Sequence, residues 1–303
     1  MTTPMIVRAN DVCKRFGRHN VLDGLNLSVP EGSAYALIGA NGAGKTTTIK
    51  LLMNILRPSL GSATVMGVDT RRISPEMLAQ IGYVSENQLL PPRLTVGEYL
   101  DYLRPFYPTW DRTLETSICT RLQLPAATAI GALSHGMRVK LALACALPFR
   151  PRLLILDEPF SGLDPLVREE FMDGLLHQAG ELTLLISSHE LGEIETVTTH
   201  VGFLDAGKML LEESMDELSA RLREVHVTLE QTAAVPENLP AEWLNARALG
   251  NVLTFVDTRY AEQGCGERIR SVLGPTRRID VQPMPLRSVF TTLARAARAG
   301  TVQ

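Results

Sequence analysis

An α/β fold, centred on buried parallel strands and extended by an antiparallel β-subdomain, a helical subdomain and a small C-terminal α+β appendage, is what this 303-residue sequence predicts. Three observations carry that prediction. Short continuous apolar runs, Leu153 to Leu156 and Thr183 to Ile186, stand a helix length apart, as parallel strands buried on both faces require. Alternating strand-like segments crowd the first third of the chain. From about Leu89 to Leu147 the apolar spacing becomes helical, punctuated by Pro91-Pro92, Pro105, Pro108 and Pro125.

Taken in order, Met5 to Val7, Leu25 to Val29 and Ala34 to Ile38 read as strands, with Asp23-Gly24 and Pro30-Glu31-Gly32 as turns. They predict a small antiparallel sheet feeding a buried strand. Ile49, Leu52, Met53 and Leu56 recur at helical spacing, which predicts a helix over 44–56 halted by Arg57-Pro58. A short strand over Ala63 to Met66 follows. The helical insertion over about 89–147 then interrupts the core, which resumes with the two apolar runs. Past about Ser219, strand-like Val225 to Leu229, Val252 to Val256 and Ile279 to Val281 alternate with helix-like Ala261 to Leu273 and Leu286 to Arg298. Thr232 to Pro240 reads as a loop. The division expected is a first domain over 1–218 and an accessory domain over 219–303.

Composition excludes several classes. A hydrophobic fraction of 45% and a charged fraction of 21% belong to an ordinary globular chain. Lys+Arg of 30 against Asp+Glu of 33 leaves a net charge of -3, so no broad basic surface offers itself to a nucleic-acid backbone and no nucleic acid is expected as a partner. Cys13, Cys119, Cys145 and Cys265 lie far apart with no Cys-x-x-Cys pair, and read as reduced thiols. No charged head precedes a long apolar stretch at the N-terminus, so a cytoplasmic location is expected. Apolar runs such as Leu141 to Phe149 are far short of the ~20 residues that cross a bilayer. Any link to a membrane must come through a partner.

Four segments carry chemistry. Gly39-Ala40-Asn41-Gly42-Ala43-Gly44-Lys45-Thr46 follows the apolar strand ending at Ile38 and opens a helix, the setting in which G-x-x-x-x-G-K-[ST] cradles phosphates. Its glycines let backbone N–H groups point inward, and the helix N-terminus adds a favourable dipole. Lys45 reaches toward β- and γ-phosphates, the Thr46 hydroxyl suits Mg²⁺, and Asn41, Ala43 and Thr47 belong to the same cradle. Asp157-Glu158 emerges from the apolar run at its carboxyl end, where open α/β sheets bind ligands. Two carboxylates there repel without a cation. Asp157 suits Mg²⁺ held through water, and Glu158 suits the general base that polarises an attacking water. Read alone, the pair also fits an acidic turn. Leu133-Ser134-His135-Gly136-Met137 starts a helical run with Ser134 as N-cap, an anion site or simply a cap. His189 ends the run Leu184 to Ser188 at the same sheet edge, within donating reach of a γ-phosphate or as an ordinary strand-end histidine.

In this order and at these separations the four segments resemble the ATPase domain of the ATP-binding-cassette family, across roughly Ile6 to Leu218. The resemblance implies an α/β P-loop NTPase fold with a RecA-like core, ATP and Mg²⁺ as cofactors, and an aromatic stacked on adenine, a place held by Phe16. It implies a turn Ser161-Gly162-Leu163-Asp164 whose Asp164 lies at a dimer seam. Two ATPase subunits, alike or different, then sandwich two ATP molecules, with Ser134 and Gly136 of one facing the γ-phosphate held by Lys45 of the other.

Three residues depart from the family's usual pattern. His135 and Met137 replace the glycine and glutamine of Leu-Ser-Gly-Gly-Gln, and Glu86 stands where the coupling loop often has glutamine. With the tail Pro285 to Phe290, these departures look like the ATPases of type 2 exporters. That likeness implies a separately encoded transmembrane permease, a peripheral position at the inner face of the membrane, and 86–96 as the permease-contacting loop. The readings set against it are an ATPase of the same family acting on nucleic acid or the ribosome, and a regulatory module with a decayed site.

Overall fold

Alternating burial in the first thirty residues produces a long hairpin. In the computed structural model, which describes residues 3–176, 182–189, 192, 194–231, 234–236 and 238–298, β1 (Met5–Phe16) buries Ile6, Val7, Ala9 and Val12. It pairs antiparallel with β2 (His19–Pro30) across the turn at Gly17, whose φ of 58° suits a residue without a Cβ. With β4 (Leu60–Val65) and β5 (Val68–Asp69) these form a four-stranded sheet ordered β2-β1-β4-β5.

A second sheet holds the strands without alternation. It comprises β3 (Ala34–Ile38), β6 (Ile81–Ser85), β7 (Leu153–Asp157), β8 (Thr183–Ser188), β9 (His200–Asp205) and β10 (Lys208–Ser214), ordered β10-β9-β3-β8-β7-β6. The pairs β3-β8, β3-β9, β7-β8 and β6-β7 are parallel. Every residue of β7 and β8 is buried, as covering both faces demands. Among the described residues, two helices of this core are α1 (Lys45–Leu52) and α2 (Pro75–Leu78).

The helical insertion contains α3 (Val96–Leu103), α4 (Arg112–Arg121) and α5 (His135–Ala146). Each start is fixed by its sequence: Thr95 and Glu98 form a reciprocal capping box, Asp111 accepts from Leu114 N, and Ser134 accepts from Met137 N. Val96, Leu100, Ile130, Leu133, Leu141 and Cys145 make a separate apolar cluster. Between these helices Glu115 accepts from Arg104 Nε at 2.8 Å, Arg104 Nη2 at 2.6 Å and Trp110 Nε1 at 2.7 Å. After β7 comes α6 (Pro165–Leu176).

By contacts the chain divides into two units, Met1–Glu190 with His200–Met209, and Leu191–Thr199 with Leu210–Gln303; the sequence places its boundary at 218. Within the second, α7 (Met215–Arg221) precedes an antiparallel sheet ordered β12-β13-β11-β14. Its strands are β11 (Arg223–Leu229), β12 (Trp243–Leu249), β13 (Val252–Asp257) and β14 (Thr276–Pro283), and its helices are α8 (Cys265–Leu273) and α9 (Leu286–Arg298).

Several expected elements are shorter or displaced. The helix expected over 44–56 stops at Leu52 because Asn54 takes the left-handed conformation, φ 55°, before Arg57-Pro58 is reached. The helix expected from Ala261 starts at Cys265, after Gly264 at φ 80°. The strand expected over Ala63 to Met66 runs instead over Leu60–Val65, ended by Met66 at φ 51°. β12 escaped the pattern because a register slip between Leu244 and Arg247, with Asn245 at φ 53°, breaks its alternation. Of the loop expected over Thr232 to Pro240, residues 232, 233 and 237 lie outside the described residues.

Candidate functional site

Four parallel strands, β3, β6, β7 and β8, deliver their carboxyl ends to one edge, and the functional side chains follow from that register. Ser85 pairs with Asp157, Asp157 with Ser187, and Ile38 with Ser188. The turn after Ile38 needs its glycines. Gly42 and Gly44 have φ of 83° and 112°, and a Cβ on Gly39 would lie 2.3 Å from the Leu204 carbonyl oxygen. Lys45, only 5% exposed, donates to the Gly39 carbonyl at 2.6 Å and the Ala40 carbonyl at 3.3 Å, so its ammonium is held under the loop.

The carboxylates are placed just as tightly. Asp157 Oδ1 accepts from Thr46 Oγ1 at 3.1 Å and from Ser187 Oγ at 2.7 Å. Burial pushes the Asp157 carboxyl above its ordinary value, Glu158 adds to the rise, and the two hydroxyls and Lys45 offset only part of it. Such a carboxylate gains from a cation. Glu158 occupies a left-handed φ of 51°, a conformation that costs a non-glycine residue about 1 kcal/mol or more. Its N–H is held by the Ser187 hydroxyl at 3.0 Å and the Ser187 carbonyl at 3.2 Å. The strain aims one carboxylate oxygen at Lys45 Nζ, 2.9 Å away, and the other at His189 Nδ1, 2.7 Å away.

Lys45, Thr46 and Glu158 line a cavity of about 500 Å³ together with Asn41, Gly42, Gly44, Thr47 and Glu86, and Asp157 and His189 reach it through their bonds to Thr46 and Glu158. His19 and Val21 of β2 line it too. Sequence reasoning missed both, although the tight turn at Gly17 was a signal that β2 starts close to Phe16. Phe16 is 47% exposed, beneath Lys14 Nζ at 4.9 Å from the ring centroid, and is not among the lining residues.

Ser134, Gly136 and Asp164 also stand outside the cavity lining. Asp164 accepts from Val167 N at 3.0 Å and caps α6. Gly136 packs against Val167, whose Cγ1 would lie 3.0 Å from an added Cβ. Next to Ser134, the unusual His135 places Nε2 3.2 Å from the Ser161 carbonyl oxygen. Ser161 Oγ in turn donates to Glu86 Oε1 at 2.8 Å, and Glu86 N–H donates to the Asp157 carbonyl at 3.1 Å. Two of the three departures from the usual motif, His135 and Glu86, are therefore bridged by one serine.

A glycine-bounded cradle, a buried lysine, a hydroxyl–carboxylate pair and a second carboxylate beside a histidine, all at the carboxyl edge of a parallel sheet, define a P-loop nucleoside triphosphatase. A family model described as "ABC transporter" matches residues 22–161. Over 223 residues the chain is 36% identical to the bacitracin transport ATP-binding protein BcrA of Bacillus licheniformis, covering 72% of each chain. It is 32% identical to the daunorubicin resistance ATP-binding protein DrrA2 of Streptomyces coeruleorubidus, over 76% of this chain and 74% of that protein. A ribose import ATP-binding protein, RbsA of Pseudomonas putida, is 32% identical over 97% of this chain and 64% of its own length. A solved ATP-binding subunit of an ABC transporter superposes with a TM-score of 0.64 at 27% identity, over 70% of this chain and 91% of that one. The chain belongs to the ABC transporter family, as an ATP-binding subunit whose ATPase activity is coupled to transport. Among the described residues no helix is long and apolar enough to cross a membrane.

Proposed function

We infer that this subunit hydrolyses ATP to drive a separately encoded permease, in the direction of export, as one member of a pair of ATPase subunits. The observation that carries the reading is the division of the site. Lys45, Thr46 and Glu158 line one cavity, with Asp157 hydrogen-bonded to Thr46 and His189 to Glu158, while Ser134 and Gly136, on the helical insertion, do not line it. A second ATPase subunit, another copy or a sister, supplies the missing helix N-terminus to the γ-phosphate.

In this reading Gly42 to Lys45 hold the phosphates through backbone N–H groups, and Lys45 exchanges Glu158 for the β/γ oxygens. Asn41, Ala43 and Thr47 complete the cradle, and Phe16 supplies the adenine-stacking face from beyond it. Glu158, released, takes a proton from the attacking water, and His189 steadies the carboxylate and the γ-phosphate. Thr46 and Asp157 are oxygen donors 3.1 Å apart, the hard donor set that Mg²⁺ accepts, with Asp157 acting through water. When bound, the ion screens phosphate charge. Asp164 serves the subunit seam, and Glu86 begins the permease-contacting loop over 86–96, where Leu89 is 97% exposed. The first domain is taken as 1–218 and the accessory domain as 219–303, at the inner face of the membrane.

Export is supported by the drug-resistance relative; the import relative, aligned along nearly the whole chain, is the observation on the other side. An ATPase acting on nucleic acid gains nothing from these relatives. Transport assays in inside-out and right-side-out vesicles carrying the complex test the direction. ATP-dependent accumulation inside the inside-out vesicles is expected, and uptake into right-side-out vesicles contradicts export.

A further inference from the structure

The C-terminal unit contains a cavity of about 510 Å³ that the hydrolytic machinery does not use. Its position follows from strand period. Val225 and Val227 of β11 and Leu253 and Phe255 of β13 pack with Cys265 and Ile269 of α8. Their neighbours Glu224, Thr254 and Val256 therefore belong to the opposite face. On that face α9 meets the bulged β12, where Asn245 Nδ2 donates to the buried Thr292 Oγ1 at 3.0 Å. The recess lies between this helix and the sheet, lined by residues of both.

Three arginines line this recess: Arg247 from β12, and Arg287 and Arg295 from α9. The last two are eight positions apart, which puts them on one helix face. Among the described residues none of the three side chains makes a hydrogen bond or ion pair. The one acid in the lining is Glu224, which sits 3.7 Å from His226 Nε2. Two other arginines of the unit are engaged, Arg221 forked onto Glu213 and Arg268 bonded to Asp257. Three unpartnered guanidiniums against one carboxylate leave an excess of two positive charges. That excess matches a phosphate monoester, which carries about −1.5 to −2 charges at neutral pH. The Ser288 hydroxyl adds a donor, and Leu249, 85% exposed, with Met284 gives an apolar rim for an organic substituent.

We propose that this pocket binds a phosphate monoester bearing a small apolar group, either free in solution or as the headgroup of a monoester lipid. The proposal stands apart from the ATPase site, and its test keeps the two separate. Phenyl phosphate is titrated calorimetrically into the full chain carrying Lys45→Ala, which removes the loop lysine. Binding is expected to persist there, and to weaken by at least about tenfold when Arg247→Ala and Arg295→Ala are added. The arginines are exposed, so melting temperature is expected to hold; Arg295→Gln alone gives a second, milder variant with an intermediate loss. Phosphatidate vesicles identify the source. Arginine-dependent vesicle binding displaced by phenyl phosphate points to the lipid headgroup, and binding of phenyl phosphate without vesicle binding points to a soluble ester. Phenyl phosphate that binds the arginine variants as tightly as the parent, that is lost entirely with Lys45→Ala, or that never binds overturns the pocket and leaves the ATPase reading untouched.

Discussion

The carboxyl edge of the parallel sheet and the recess under α9 both gather charge, but they handle it in opposite ways. At the sheet edge the charged groups are sunk into the core, Lys45 at 5% and Asp157 at 4% exposed, and each is answered by carbonyls, hydroxyls or an opposite charge. In the recess the arginines stay exposed, with no hydrogen bond or ion pair among the described residues. Buried charge in the first unit is a machine part held in one geometry at some cost in strain. The exposed charge of the second is a surface waiting for an anion.

The largest expected effect falls at the sheet edge. Glu158→Gln keeps ATP binding and lowers turnover by roughly 10²–10⁴-fold, measured as steady-state phosphate release beside nucleotide binding. Wild-type turnover in that variant removes Glu158 from the role of base. Beneath it, Leu37→Ala empties a fully buried position in β3 and is expected to cost about 2–5 kcal/mol in chemical denaturation. A cost within error would mean that this strand does not anchor the loop.

Glu115 offers a pH-dependent contrast within the helical insertion. Burial pushes its carboxyl up, but Arg104 and Trp110 pull it down further, so it titrates below its ordinary value of 4.5. A lowered folded-state value means that its stabilisation is complete above about pH 4.5 and is lost as pH falls toward the lowered value. Glu115→Gln is expected to cost about 2 kcal/mol at neutral pH and to flatten the acid limb of a stability profile. An unchanged acid limb would show that another carboxylate sets it. The smallest effect belongs to His135→Gly, which restores the common residue and removes the contact with the Ser161 carbonyl. Stability is expected to fall by about 1 kcal/mol or less. The altered dependence of turnover on ATP concentration, rather than the melt, reports whether that contact links Ser134 to Glu86.

The same contrast explains what could be read from sequence. Around Lys45 and Asp157 the chemistry restricts residue type so severely that strand, loop and helix follow from a handful of letters. The parallel strands were legible because burial on both faces leaves only apolar residues. Nothing of that kind governs β12, where a bulge scrambles alternation, or the left-handed Asn54 that ends α1 early. His19 and Val21 reach the cavity through pairing in a hairpin, and the α9 recess assembles residues from opposite ends of the second unit. Both are long-range facts that local pattern does not encode.

The most direct test of the divided site mixes two disabled chains in the presence of the permease. Lys45→Ala spoils the loop and leaves Ser134 intact; Ser134→Arg does the reverse. Given that the wild-type chain hydrolyses ATP as the sole ATPase subunit, each variant alone should be inactive, and the mixture should regain turnover from the one intact composite site in each mixed pair. A mixture as inactive as its components would contradict the account.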